Sequence, residues 1–306
     1  MPKIPIRKIP QSRSMLAVSI EMDSLSPFFE HFTLSARVFY SGRLCGVSGD
    51  HATETAGHLH LLRRGTLHVE RPQLPPITIA EPSVLFYPRP CRHRFRADPA
   101  AGAELVCARI EFGAGMQNPL VQTLPELLIV PLASVHELAP TANLLFTEAF
   151  AEHPGRQAAI DHLTEYALVL LLRAAMNRRL IAGGVLLGLA DPRLALAIAA
   201  MHQQPAHPWS LETLAQTAGM SRARFAVHFR QIVGVTPFDY LADWRIGIAQ
   251  TLLRKGMPLK IVAPAVGYAS STALTRVFSQ RLGLSPTVWI AHDRRTQQIQ
   301  PPSPAK

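Results

Sequence analysis

The chain has 306 residues, 31 Lys and Arg against 21 Asp and Glu, a formal net charge of +10, 48% apolar residues and three cysteines. Length and apolar content predict two domains with sizeable cores, and three cysteines are too few for a disulfide scaffold, which fits a reducing cytoplasm. The stretch ALVLLLRAAM (Ala167–Met176) is too short to span a bilayer and carries Arg173, so a membrane partner is not expected.

Residues 1–22 combine prolines with charge and lack a signal-peptide apolar region with a cleavage site, so a disordered basic tail is expected. Met22, opening MDSLSPFF, is an alternative start. From Leu34 to about Ile129, short apolar runs such as LHLLRRGTLHVE, ITIAEPSVLFYP and ELVCARIEF are separated by Gly, Pro and Asp. This pattern predicts an antiparallel β-barrel or jelly roll within residues 23–135. Residues 136–190 then turn helical, with apolar Ile160, Leu163, Ala167, Leu170, Leu171 and Ala174 at helical spacing. AGGVLLGLADP (Ala182–Pro192) reads as a linker.

The C-terminal third contains a repeated pattern. LAQTAGMSRARFAVHFRQIVGVTP (Leu214–Pro237) is echoed by a second copy ending in VGYASSTALTRVFSQRLGLSP (Val266–Pro286). Ala215 and Gly219 match Ala263 and Gly267, Phe225 and Phe229 match Leu274 and Phe278, Gly234 matches Gly283, and Pro237 matches Pro286. A small residue lets two helices cross closely, glycine lets the chain reverse, and serine caps the next helix. The charge is concentrated here: residues 191–295 sum to +7, residues 1–21 to +3 and residues 22–190 to −1. A basic helix–turn–helix half is the electrostatic footprint of phosphate-backbone binding.

These residues, with WSLETLAQTAGMSRARFAVHFRQIVGVTPFDYLADWRIGIAQTLL and PLKIVAPAVGYASSTALTRVFSQRLGLSP, resemble the DNA-binding domain of AraC/XylS-type transcription regulators. The resemblance implies two helix–turn–helix units over residues 191–295, joined by a linker helix at 237–253. Two departures stand out: Pro264 lies inside the first helix of the second unit, where it should kink the helix, and PTVWIAHDRR replaces the usual aromatic–arginine ending. HLHLLRRG, VLFYPRPCRHRF and NPLVQTLPELLIVP resemble the cupin-like sensor of one branch of that family, which includes reactive-chlorine-sensing members. The implied architecture is α+β in two domains: an N-terminal cupin-like antiparallel β-barrel with flanking helices, and an all-α double helix–turn–helix domain. Residues 136–190 would be a dimerisation and linker region, and 296–306 a disordered tail. The implied partners are double-stranded DNA, RNA polymerase, a small-molecule effector or oxidant, and a second copy of the chain; no enzymatic activity and no cofactor are expected.

With Phe225, Phe229 and Ile232 facing inward, the opposite face of the first recognition helix carries Ala223, Ala226, Val227 and Arg230, with Arg222 at its edge and Ser221 at its start. With Leu274, Phe278 and Leu282 inward, the second presents Ser271, Thr272, Ala273, Arg276 and Gln280. Arg276 is the candidate for bidentate guanine readout; Arg222 and Arg230 suit phosphates.

In the barrel, His58, His60 and His93 fall where cupin enzymes hold a metal, but Arg63 and Arg64 follow where a carboxylate is needed. A three-imidazole site for zinc, copper, nickel or iron is the candidate that remains. The alternative function is a metal-binding cupin protein, or a cupin enzyme, fused to a DNA-binding tail. Cys45 and Cys107 resemble the cysteine pair of oxidant-sensing relatives. Cys91, among Arg89, Arg92, His93 and Arg94, is expected to have a lowered thiol pKa.

Overall fold

The computed structural model describes Asp23, residues 25–48, 56–115, 118–177, 181 and 183–299, with backbone alone at 295–299. The basic tail expected at 1–22 lies outside the described residues, and so do residues 300–306. A short helix α1 (Ser26–His31) precedes strands β1 (Leu34–Leu44), β2 (Gly46–Val47), β3 (Gly57–Arg64), β4 (Leu67–Arg71), β5 (Leu74–Ile79), β6 (Ser83–Tyr87), β7 (Arg94–Ala97) and β8 (Ala103–Phe112). Helix α2 (Pro119–Thr123) and strand β9 (Leu128–Pro131) complete this half.

The strands form two sheets, ordered β1-β8-β3-β6-β9 and β2-β7-β4-β5, with antiparallel pairing throughout. Alternation along β3 explains why the chain needs two cores. Leu62 joins Leu67, Val69, Leu85, Phe95, Leu105 and Cys107 in one apolar cluster, while Leu59 and Leu61 join the helices in another. Side chains two apart share a face, so His58 and His60 lie on the Leu62 side.

Helices α3 (Leu138–Ala149) and α4 (Arg156–Asn177) pack on this barrel. Asp161 accepts from the Val38 amide at 2.7 Å, Glu165 from the Ala36 amide at 3.2 Å, and the Gln157 amide donates to the Val38 carbonyl at 3.0 Å. The outer edge of β1 is thereby closed to other strands. The apolar stripe of α4 is spent in the same packing: Ile160, Ala167, Leu170, Leu171 and Ala174 are buried within the chain, and Leu163 is partly buried. That stripe is not a free dimerisation face.

The linker stretch contains a helix, α5 (Val185–Ala190), followed by α6 (Leu194–Gln203), α7 (Leu211–Thr217), α8 (Arg222–Val233), α9 (Pro237–Arg254), α10 (Leu259–Ala265), α11 (Ser271–Leu282) and α12 (Pro286–Ile299). Helix α12 runs four residues into the expected tail. Nothing between Thr287 and Gln300 is glycine or proline, and Pro301 is the first residue that cannot continue a helix.

The two halves share one continuous apolar cluster. Phe28 of α1 and Phe32, just past its end, meet the Trp244 ring of α9 edge-on, each with centroids 5.0 Å apart. Gly247 permits the approach, since a Cβ there would sit 2.6 Å from Phe32 Cε1. The Thr251 hydroxyl donates to the His31 carbonyl at 3.1 Å.

Candidate functional site

Each helix–turn–helix unit is built from the repeated marks. The turn glycines Gly219 and Gly267 adopt φ of 61° and 82°, a region that residues with a Cβ rarely visit. Phe225, Phe229, Leu274 and Phe278 are fully buried beneath their helices. The Ser270 hydroxyl accepts from the Ala273 amide at 3.1 Å and caps α11; Ser221 holds the equivalent position on α8 without a side-chain cap bond. Pro264 is the penultimate residue of α10, on its exposed side, and the helix carries it.

Helix α9 holds both units. Arg281 of α11 donates to Asp239 at 2.6 Å and Asp243 at 3.0 Å, and Arg254 pairs with Asp293 of α12 at 2.7 Å. Arg245 donates to the carbonyls of Pro205 (2.6 Å) and His207 (2.8 Å) and lies over the Tyr268 ring. The Thr236 hydroxyl, then the Arg281 guanidinium, hold the Asp239 carboxyl below the usual carboxylate range. Burial pushes Asp243 up instead.

The outward faces follow. On α8, Arg222, Ala223, Val227 and Arg230 are exposed, with Val227 57% exposed, and Ala226 is half-buried; Ser221 is exposed ahead of them. On α11, Thr272, Arg276 and Gln280 form an exposed i, i+4, i+8 row, while Ser271 and Ala273 are half-buried. Arg224 and Gln231 also lie on the exposed face of α8, and sequence reasoning missed them. The cause is the choice of inward residue: Val233 is 5% exposed, whereas Ile232 is only partly buried. Shifting the wheel toward Val233 brings Arg224 and Gln231 beside Val227. His228, at the margin, pairs with Asp191 at 2.7 Å.

In the barrel, His58, His60 and His93 are buried and converge, each offering a ring nitrogen within 4.8 Å of the others. His60 Nε2 and His93 Nε2 are 2.9 Å apart, and His93 Nδ1 is 2.8 Å from the Cys91 carbonyl. A carbonyl can only accept, so Nδ1 carries the His93 proton and Nε2 turns its lone pair toward the other rings. Tyr87 stacks on His93 with centroids 4.1 Å apart, and burial raises its phenol pKa. Three imidazoles in this arrangement can hold a transition-metal ion.

The cysteines are not brought together. Cys107 pairs across the ladder with His60 on one side and Tyr40 on the other. Cys45 follows Leu44, whose partner is Ala103. Ala103 and Cys107 are four residue steps apart on β8, about 13 Å along the strand, whereas a disulfide needs Cα atoms within about 7 Å. Burial pushes the Cys107 thiol far up. The lowered pKa expected for Cys91 is overturned: burial and a 3.3 Å hydrogen bond from its thiol to Glu126 push it up to about 11. Arg71 and Arg89 pull the other way and lose. The Arg89 guanidinium is engaged elsewhere, donating to the carbonyls of Val121 (2.7 Å) and Leu124 (2.9 Å).

Among the described residues, no helix is long and apolar enough to cross a membrane. A family model described as Cupin matches residues 23–177, and one described as Helix-turn-helix domain matches residues 214–292. A putative AraC-like transcription regulator of Streptomyces lividans is 33% identical over 259 residues, 76% of this chain and 85% of that protein. The RCS-specific HTH-type transcriptional activator RclR of Escherichia coli strain K12 is 28% identical over 246 residues, 79% of this chain and 86% of that protein. The solved DNA-binding domain of AdpA, in complex with a target DNA, is 32% identical, covering 36% of this chain and 99% of that one at a TM-score of 0.34.

Proposed function

The chain belongs to the AraC-like transcription regulators, and from that premise we propose that it binds specific DNA through α8 and α11 under control of its barrel. One observation carries the reading: two helices of matching design, each ending at a left-handed glycine, present exposed faces while α9 packs against both, through Tyr240 beside Phe229 of α8 and Asp239 on Arg281 of α11. Arg276 reads a base edge, most simply guanine, with Thr272 and Gln280 along the same row and Ser271 and Ala273 beside them. Ala223, Ala226 and Val227 offer apolar contact to thymine methyls. Ser221, Arg222, Arg224 and Arg230 hold phosphates, and Gln231 extends the α8 face. If the helices sit about one DNA turn apart, roughly 34 Å, one chain reads two successive major-groove segments.

The domains divide as barrel 23–135, helical region 136–190 and DNA-binding domain 191–295. A small molecule or oxidant entering the barrel changes how the DNA-binding half engages its sites, and RNA polymerase is the downstream partner. The protein acts in the cytoplasm, performs no catalysis and needs no cofactor to bind DNA. A homodimer would use the outer sides of α3 and α4, where Leu144 and Tyr166 are exposed, since the inner stripe is occupied. Of the cysteines, Cys45 is the exposed candidate for oxidation.

The test is fluorescence anisotropy on DNA from the gene's own upstream region, with Arg276→Ala beside the parent chain. Loss of one bidentate base contact weakens binding by about 1–3 kcal/mol, a factor of about 5 to 140, and relaxes preference at one base position. Equal affinity of Arg276→Ala for all four bases at one position that the parent chain distinguishes, with preference kept at the others, supports the assignment. Unchanged affinity and preference sink it, and the absence of any sequence preference in the parent chain sinks the reading as a whole.

A further inference from the structure

We propose that His58, His60 and His93 bind a divalent transition-metal ion, and that its arrival is transmitted to the first recognition helix through Arg89, α2 and Gly184. This rests on the reading of the barrel as sensor and names both its ligand class and its route of control.

The donor set selects the ion. Three imidazoles, with no carboxylate grouped with them among the described residues, suit zinc, cobalt, nickel or copper and not magnesium or calcium. Metal–nitrogen bonds of about 2.0–2.1 Å in a tetrahedral site place nitrogens about 3.4 Å apart. Here the His60–His93 pair stands at 2.9 Å and all three donors lie within 4.8 Å, so closure takes side-chain rotations on strands already in place. The His93 Nδ1–H bond to the Cys91 carbonyl is the outer support that fixes a ligating imidazole. With His93 Nε2 bare, His60 Nε2 carries the proton between them, so metal entry asks His60 to move that proton to Nδ1. Three protein ligands leave a fourth position for water or a small anion.

The route begins at the same support. Between the last residue of β6 and His93 lies Arg89, whose guanidinium grips two carbonyls at the C-terminal end of α2. Thr123, the last residue of α2, abuts Gly184, where an added Cβ would overlap its side chain. Gly184, at φ 99°, is the N-cap of α5 and donates its amide to the Ile232 carbonyl, 3.0 Å away near the end of α8. Every link from His93 to α8 is thus a hydrogen bond, a short stretch of chain or a close contact. A ring that shifts to meet a metal moves the Cys91 carbonyl, and Arg89 carries that movement to the helix end.

The experiment uses the full chain, Co(II) and Zn(II) as probes and Mg(II) as control. Co(II) absorption should show tetrahedral bands saturating at one ion per chain, displaced by Zn(II), unaffected by Mg(II) and lost in His93→Gln. Zn(II) should change DNA affinity at least fivefold in the parent chain. In Arg89→Met, Co(II) should bind as before while the DNA response falls below twofold, and Thr123→Ser, a gentler change, should reduce it in part. No tetrahedral Co(II) signal overturns the site. Binding without a DNA response, or a full response in Arg89→Met, overturns the route. Sequence-specific binding by the metal-free chain is measured in the same series, so failure of the regulator reading is seen separately.

Discussion

At the scale of single residues, environment outweighs neighbours in the sequence. Cys91 sits in a run of cations, yet burial raises its thiol pKa, and a hydrogen bond from the thiol to Glu126, a residue 35 positions away, adds to the effect. Thiolate is the reactive form, so Cys91 at about 11 is nearly all thiol at neutral pH. Iodoacetamide at pH 7.5 should therefore label exposed Cys45 first, Cys91 slowly and buried Cys107 only after denaturation. Mass spectrometry of timed digests reads the order. Faster labelling of Cys91 than of Cys45 would contradict a half-buried, Glu126-bonded thiol. Removing the acceptor, as in Glu126→Gln, should speed Cys91 labelling.

At the scale of elements, what was legible is what local spacing encodes. Both helix–turn–helix units follow from the Ala–Gly interval, the apolar pair Phe225/Phe229 or Leu274/Phe278 and the Gly–Pro interval, inside 24 residues, and the paired strand histidines follow from alternation. The wedge α2, the use of α4 on its own barrel and the seating of α1 were not legible, because each depends on a surface distant in the chain, more than a hundred residues away for α4 and α1. Glu165 reaches the amide of Ala36, and His31 meets Thr251. Gly247 shows the cost of such a contact. In a mid-helix position Gly→Ala ordinarily stabilises by about 1 kcal/mol. Here the new methyl meets Phe32 at 2.6 Å, and overpacking costs about 1–3 kcal/mol. Gly247→Ala should lower the urea midpoint, and Phe32→Leu in the same chain should recover part of the loss. Simple additivity in that double-mutant cycle would mean the two positions are not in contact.

At the scale of the whole molecule, the junction between halves is an aromatic stack with a titratable member. His202 of α6 lies flat on Trp244, centroids 3.7 Å apart, touches Phe28 edge-on and hydrogen-bonds the Tyr240 hydroxyl. Burial holds its pKa well below the ordinary 6.5, with the neighbouring His31 charge acting in the same direction. Burial lowers His31 as well. The unfolded chain therefore takes up these protons first as pH falls. Stability from the neutral rings is complete above about pH 6.5 and is lost progressively as pH falls toward the lowered folded values. The thermal midpoint should decline between pH 7 and pH 5.5. Replacing His202 alone would leave the Tyr240 hydroxyl buried without its partner, at about 1–3 kcal/mol. Replacing both hydrogen-bonding groups by rings of similar shape is far less costly, so His202→Phe with Tyr240→Phe should melt close to the parent chain at pH 8. It should also lose midpoint more gently in acid, the remaining slope belonging to His31. A double variant whose acid slope matches the parent would remove His202 from the account and leave the junction held by packing alone.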